Sequence, residues 1–299
     1  MSETHPLIIK LDNFGSIGLV GEDSQTYLNS QVTCAVKELA EDQASFSAHT
    51  DAKGKSWSHF YLVPIGDALQ LFQRKNTIER SAGELNKYGV FSKTDITDDS
   101  DILAWYAIIN APKAPLHQVF NEDGVYRVQL AEHIDLIALT PDSKLPASLS
   151  ELTQGEEVDF EHALIQAGIG FLHQQHQVEY VPQMLNLHAL DGISFKKGCY
   201  MGQETIARMR YLGKNKRALM PFSGTATSLK LDDTLELKNG DAWRRAGTVV
   251  CLAQKGEQFF GLAVVAADIA IDSQLRVKDD DNSQLSLSPL PYSLEYKES

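Results

Sequence analysis

The last third of the chain narrows the choice of folds most. From Lys216 onward it breaks into short apolar-rich segments at 217–223, 234–237, 245–252, 258–265 and 274–277. Turn clusters such as Lys238-Asn239-Gly240-Asp241 and Gln254-Lys255-Gly256-Glu257 separate them. Short strands recurring every 8–12 residues or so, divided by Gly- and Asn-containing turns, read as an all-β unit. A sheet of such strands leaves unpaired edges unless it closes on itself, so the expectation is a small barrel.

The first two thirds alternate in element type. A strand is expected at 17–20, then a helix capped by Asp23 or Ser24 that carries Tyr27 and Leu28 on one face. Asp51-Ala52-Lys53-Gly54-Lys55 sits between an apolar segment around Phe46 and another at 57–63, which reads as a hairpin with Gly54 in the turn. A strand at 68–74 follows. Ile78, Ala82, Leu85 and Tyr88 recur at helical spacing and predict an amphipathic helix. Strands are expected again at 101–109, 125–130 and 135–139. The Pro-, Ser- and Thr-rich stretch 141–155 reads as linker or loop, and a helix from about Val158 ends at Gly168, a C′ glycine. The fold class is therefore α+β: a body over 1–215 and a barrel over 216–299.

Composition removes several function classes. With 299 residues, a chain like this divides into about two domains. No apolar stretch approaches the roughly 20 residues of a membrane helix; the longest, 259–267, stops at Asp268. Met1-Ser2-Glu3-Thr4-His5-Pro6 lacks the basic head and apolar centre of a signal peptide. Cys34, Cys199 and Cys251 are odd in number and far apart, which excludes a disulfide framework and a CxxC metal site. The expectation is a reduced, cytoplasmic protein without a membrane partner. Its 40 acidic against 27 basic side chains, a formal charge of −13, argue against nucleic-acid binding driven by bulk charge.

One segment departs from that acidity. Between Lys196 and Arg217 stand seven basic residues and one acid, including Arg208, Arg210, Lys214 and Lys216. Inside it, Gly198 and Gly202 bracket Cys199 just ahead of a predicted helix at 203–209. A cysteine near a helix N-terminus with lysines beside it has its thiolate favoured by the dipole and by charge. Composition leaves a second reading open: a tight turn around a buried, inert cysteine, with lysines that merely solvate a surface.

The octet Lys197-Gly198-Cys199-Tyr200-Met201-Gly202-Gln203-Glu204 resembles the K-G-C-[aromatic]-x-G-Q-E signature of the YgfZ family. These are folate-binding proteins related to the aminomethyltransferase (T-protein) of the glycine cleavage system. Further islands resemble bacterial members in order along the chain, among them 11–14, 31–33, 51–55, 88–93, 192–200, 215–219, 243–249 and 289–294. The resemblance implies a T-protein-like, aminomethyltransferase-type α+β body around a central folate cavity, with a C-terminal β-barrel. It implies tetrahydrofolate or a derivative as cofactor, and a folate-dependent accessory role in tRNA modification by thiolation and in synthesis or repair of iron–sulfur enzymes. Cys199 is the residue on which that activity would depend, with Lys197, Gly198, Gly202, Gln203 and Glu204 as the rest of the motif. Implied partners are the folate and iron–sulfur client enzymes, with an indirect link to tRNA and a monomeric state. Two tryptophans associated with folate in the relatives match Phe14 and Phe160 here, a loss of the indole N–H. The T-protein has an Arg-Asp pair before the Ala-Gly that corresponds to Ala167-Gly168; residues 159–166 hold no arginine. That argues against glycine cleavage and leaves a tetrahydrofolate-dependent one-carbon transferase with an unidentified acceptor as the alternative.

Other candidates are weaker. His173 and His176, with Glu179 nearby, have i, i+3 spacing but follow a helix-ending glycine, so no metal site is expected. Three scattered cysteines fall short of the four that usually hold an iron–sulfur cluster. The acidic run Asp95, Asp98, Asp99 and Asp101 lacks EF-hand spacing and reads as a solvated loop.

Overall fold

Period-2 alternation of apolar residues decides the architecture of the body. In the six-stranded sheet, Ile9, Ala107, Ile109 and Leu136 face one side, and Ile8, Ile108 and Ile137 face the other. Both faces are therefore apolar, and both are covered. The structure, a computed structural model, describes residues 5–213 and 215–296, so Lys214 of the basic segment lies outside the described residues.

The first sheet runs in the order Thr153–Gln154, Leu7–Lys10, Ala104–Ile109, Ile134–Leu139, Val125–Ala131 and Val119–Glu122. A second, five-stranded antiparallel sheet runs Ser45–Thr50, Ser56–Ile65, Ala68–Arg74, Phe14–Val20 and Asp95–Asp98. The two sheets share one core, in which Phe14, Phe46, Tyr61 and Phe72 of the second meet Trp105, Ile109, Val128 and Leu136 of the first. The helix Glu157–Gln166 inserts Phe160 and Leu164 into this core. The helices Ser24–Gln31 and Lys75–Gly89 cover the outer face of the five-stranded sheet, burying Leu28, Ile78 and Leu85 against Ile17, Leu19, Phe60 and Leu71.

The C-terminal strands close into a barrel in the order Arg217–Thr225, Gln258–Ala266, Ala242–Lys255, Thr234–Asn239, Gln274–Val277 and Gln284–Leu287, the last pairing back onto the first. Phe222, Leu235, Val249, Phe259, Ala263 and Leu275 fill its interior. One outer face of the barrel is itself apolar: Leu219, Val250, Cys251, Leu262 and Val264 pack against Ile165, Leu172 and Leu185 of the body.

Two expectations change. The stretch 141–155 is not a free linker: Leu145, Leu149 and Leu152 cover Ile8, Ile137 and Leu139, and Thr153–Gln154 pairs in parallel with Leu7 and Ile8. Its Pro and Ser residues concealed a leucine spacing. The acidic run is not a loop either. Asp95–Asp98 forms an edge strand beside Phe14–Val20, and Asp99 is buried, accepting hydrogen bonds from Gln70 Nε2 and Thr97 Oγ1. An exposed edge tolerates the charges, which also discourage further strand pairing.

Candidate functional site

The Cys199 loop is built from three sequence islands that the fold brings together. The hairpin turn is tied first: Asp51 Oδ1 accepts hydrogen bonds from the amides of Lys53 and Lys55, and the Gly54 amide donates to the Asp51 carbonyl. This turn meets the start of the helix Gln203–Tyr211, whose N-cap is Gly202. Gly54 and Gly202 both have positive φ, +77° and +81°. A Cβ on Gly202 would stand 2.5 Å from the Asp51 carbonyl oxygen and 2.7 Å from the Gly54 Cα. Both glycines are required by handedness and by close approach of the two backbones. Thr50 Oγ1 donates to the Met201 carbonyl at 2.6 Å, the Met201 amide to Ser30, and Thr33 Oγ1 to the Gly192 carbonyl. Residues 30–34, 50–54 and 192–202 therefore form one unit.

Within it, burial alternates sharply. Lys197 is buried, and its ammonium donates to the Val32 carbonyl at 2.7 Å and the Cys34 carbonyl at 2.6 Å, 4.9 Å from the centre of the Tyr200 ring. Burial pushes this lysine down to about 8, and the same burial pushes the Tyr200 phenol up. Gly198 and Cys199 are exposed, and nothing lies within 4 Å of a Cβ placed on Gly198. Gln203 is half-buried; Glu204 is exposed and stands 3.9 Å from Arg208. The sequence reading made Lys197 a charge that activates Cys199. The ammonium instead braces the loop from beneath, because its neighbours in space are carbonyls of the 32–34 turn.

A cavity of about 710 Å³ lies where sheet, helix and barrel meet. Ile109, Leu130 and Ile134 of the six-stranded sheet form one wall. His162, Ala163 and Gln166 of the helix Glu157–Gln166 form another, with Lys255 and Tyr292 at the rim. Lys255 reaches across from the barrel to Asp159 at 2.6 Å. Burial raises the Asp159 carboxyl, but hydrogen bonds from Lys255 and the Glu156 amide outweigh it and hold the group below its ordinary value. The His162 ring packs 4.2 Å from that of Phe260, and its buried Nε2 has no hydrogen-bond partner. Burial, then the Lys255 charge, push this imidazole toward its neutral form. A space of this size, with apolar side chains on one wall and polar and charged ones among the rest, suits a ligand with a heteroaromatic ring. The residues present therefore fit a pterin, with Asn110 and Gln166 among the polar side chains of the lining.

Phe14 and Phe160 come together, with ring centres 5.5 Å apart, but both are fully buried and neither lines the cavity. Phe14 stacks on Phe72 at 5.1 Å and meets Phe171 edge-on. Arg74 lies 4.8 Å from the Phe14 ring centre and makes a bidentate ion pair with Glu161, both bonds 2.6 Å, while its Nε donates to the Phe171 carbonyl. The helix that lacks an arginine thus receives a guanidinium from the strand Ala68–Arg74, already matched to a carboxylate.

His173 and His176 have ring centres 6.1 Å apart, and His176 Nε2 faces Asp232 at 2.8 Å. Sequence reasoning missed Asp159, His162 and Lys255. The first two, with Gln166, recur at i, i+3 and i+7, a polar stripe opposite Phe160 and Leu164 that marks a face turned to a cavity.

Comparison with known proteins bears on both regions. Residues 215–280 match the family model described as YgfZ, beta-barrel domain. The tRNA-modifying protein YgfZ of Pectobacterium carotovorum subsp. carotovorum (strain PC1) is 36% identical over 97% of this chain and 92% of its own length. The protein of that name from Escherichia coli (strain K12 / DH10B) is 38% identical over 96% of this chain and 94% of its own length. Among solved structures, glycine cleavage system aminomethyltransferase T from Bartonella henselae aligns with a TM-score of 0.68 and 12% identity, covering 96% of this chain and 86% of that one. At that identity the likeness shows a shared fold.

Proposed function

The chain belongs to the YgfZ family of tRNA-modifying proteins, and on that footing we propose that it is a folate-binding accessory protein of tRNA thiolation whose working group is the exposed thiol of Cys199. The observation that carries this reading is the contrast within residues 197–202. Lys197, Tyr200 and Gly202 are buried and fixed by contacts, while the thiol between them is turned to solvent. Free cysteine is among the most buried residue types, so a fold that clamps both sides of one and leaves it open needs a reason. Contact with another molecule supplies it.

The cavity takes the folate. A bound reduced folate would supply the capacity to carry a one-carbon group at its N5 and N10 nitrogens. The residues of this chain would hold it: the apolar wall of Ile109, Leu130 and Ile134 would contact the ring, polar side chains such as Asn110 and Gln166 would hydrogen-bond it, and the Asp159–Lys255 pair fixes the helix and barrel on either side. A carrier without turnover is favoured over a one-carbon transferase by the Arg74–Glu161 pair, since that guanidinium is occupied and offers no free fork to a substrate carboxylate. The proposed clients are iron–sulfur enzymes of thiolation. Cys34 and Cys251 are buried, so Cys199 acts as a single thiol toward a client and not as part of a resident cluster.

Equilibrium titration with tetrahydrofolate tests the cavity. Wild type binds, and Ala163→Trp or Ala131→Trp, which fill it from opposite walls, bind at least about tenfold more weakly with little change in melting temperature. Equal binding by both filled variants would move the folate elsewhere.

A further inference from the structure

A second, smaller pocket of about 250 Å³ opens at the rim of the barrel, lined by Lys216, Arg217, Arg245, Ala246, Gly247 and Ala266. Arg217 and Arg245 come from two strands and Lys216 from the segment just before the first, and among the described residues none of the three is ion-paired to a carboxylate. The acid opposite Arg245 across the sheet, Glu236, is held instead by Arg276 at 2.8 Å. The backbone shapes the pocket. The register between Thr234–Asn239 and Ala242–Lys255 shifts at Leu235/Glu236, which leaves Ala246 as the extra residue of a β-bulge. Beside it a Cβ on Gly247 would stand 2.3 Å from the Val264 carbonyl oxygen, so the strand is drawn tightly inward there. Arg245 is steadied by an Nη2 hydrogen bond of 3.1 Å to Thr248 Oγ1.

We propose that this pocket binds backbone phosphates of a structured RNA. Its size fits a phosphate, its guanidinium groups match phosphate oxygens, and the exposed cations extend beyond it. Arg208 and the exposed Tyr211 stand on the helix Gln203–Tyr211, a few residues before Lys216 in the chain. An extended basic surface with an exposed aromatic suits a polynucleotide better than a free ion. The inference rests on the role in tRNA modification and revises one expectation, that the link to tRNA is indirect.

The test is the affinity of the full chain for a tRNA transcript at several salt concentrations, alongside titration with inorganic phosphate and with tetrahydrofolate. Wild type should bind the transcript with steep salt dependence. The triple variant Lys216→Gln/Arg217→Gln/Arg245→Gln should lose about two to three units of the log–log slope and about ten- to a hundredfold of low-salt affinity. Its tetrahydrofolate binding and melting temperature should match wild type. Unchanged transcript binding by the triple variant, or binding that is flat in salt, overturns the proposal. So does saturable binding of inorganic phosphate without transcript binding, which would assign the pocket to a small anion. The tetrahydrofolate arm reports separately on the folate reading, since the rim residues are not cavity residues.

Discussion

Replacing Gly202 with alanine perturbs the Cys199 loop at its tightest point. Two contributions add. At φ +81° an L side chain sits in the left-handed region, which costs about 1–2 kcal/mol. The new Cβ would also stand 2.5 Å from the Asp51 carbonyl oxygen, 2.7 Å from the Gly54 Cα and 2.9 Å from the Gly54 amide. All three are backbone atoms of the hairpin turn, so no rotamer change relieves the overlap, and overpacking of this kind costs a further ~1–3 kcal/mol. The sum, roughly 2–5 kcal/mol, is a large share of the 5–15 kcal/mol or so of a typical domain. Urea unfolding followed by tryptophan fluorescence measures it, with Trp57 on the hairpin strand as a nearby reporter. Gly198→Ala is the control, since its Cβ meets nothing and its φ is ordinary; it should lie within about 0.5 kcal/mol of wild type. Gly54→Ala combined with Gly202→Ala should cost less than the sum of the singles, because each breaks the same contact. Equal stability of Gly198→Ala and Gly202→Ala would refute the packing of the two turns.

Four further outcomes follow from the same contacts. Phe14→Ala removes a fully buried ring from a cluster of four aromatics and should destabilise by ~3–5 kcal/mol in urea, so any weaker folate binding accompanies lost stability; a neutral effect would place the ring at a ligand surface. Arg74→Met strands the Glu161 carboxylate in the core and should cost about 3–5 kcal/mol, whereas retention of wild-type stability would mean that the pair is solvated. Thiol alkylation of the native protein, read by mass spectrometry, should label Cys199 alone: burial pushes both other thiols up, Cys251 to about 12, and reaction of Cys34 before unfolding would contradict the loop. Lys197, pushed down to about 8 from 10.5, binds fewer protons folded than unfolded between those values, so the stability it confers rises with pH across that window. The gap between wild type and Lys197→Met in urea should therefore widen from about pH 7 to about pH 10; a constant gap would mean an unperturbed lysine.

Much of the fold was legible because it rests on local signals. The hairpin around Gly54, the stripe of Ile78, Ala82 and Leu85, and the turn-divided strands of the barrel each carry their own period, although Tyr88, expected on that stripe, is exposed. Elements without one were missed. Gln284–Leu287 has only Leu285 and Leu287 in a Ser- and Gln-rich stretch, yet it closes the barrel. Asp95–Asp98 is a strand because Phe14–Val20 offers it an edge, which no local property of four polar-rich residues could announce. The site divides in the same way. The motif identified Cys199, but the direction of the Lys197 ammonium depends on carbonyls 163 and 165 positions away, and the cavity is assembled from residues as distant as Leu7 and Tyr292. Phe14 and Phe160 were expected at the folate; what the sequence could not convey is that they meet each other in the core, where Phe72 and Phe171 enclose them.

The central claim is that an exposed thiol, held by a buried frame and served by a separate folate cavity, acts in tRNA thiolation. Its most direct test is the thiolated-nucleoside content of tRNA, measured by mass spectrometry, in cells lacking their own family member and supplied with wild type or Cys199→Ser. Wild type should restore thiolation, and Cys199→Ser should fail while the purified variant still binds tetrahydrofolate and melts like wild type. Full restoration by Cys199→Ser would show that the thiol is dispensable.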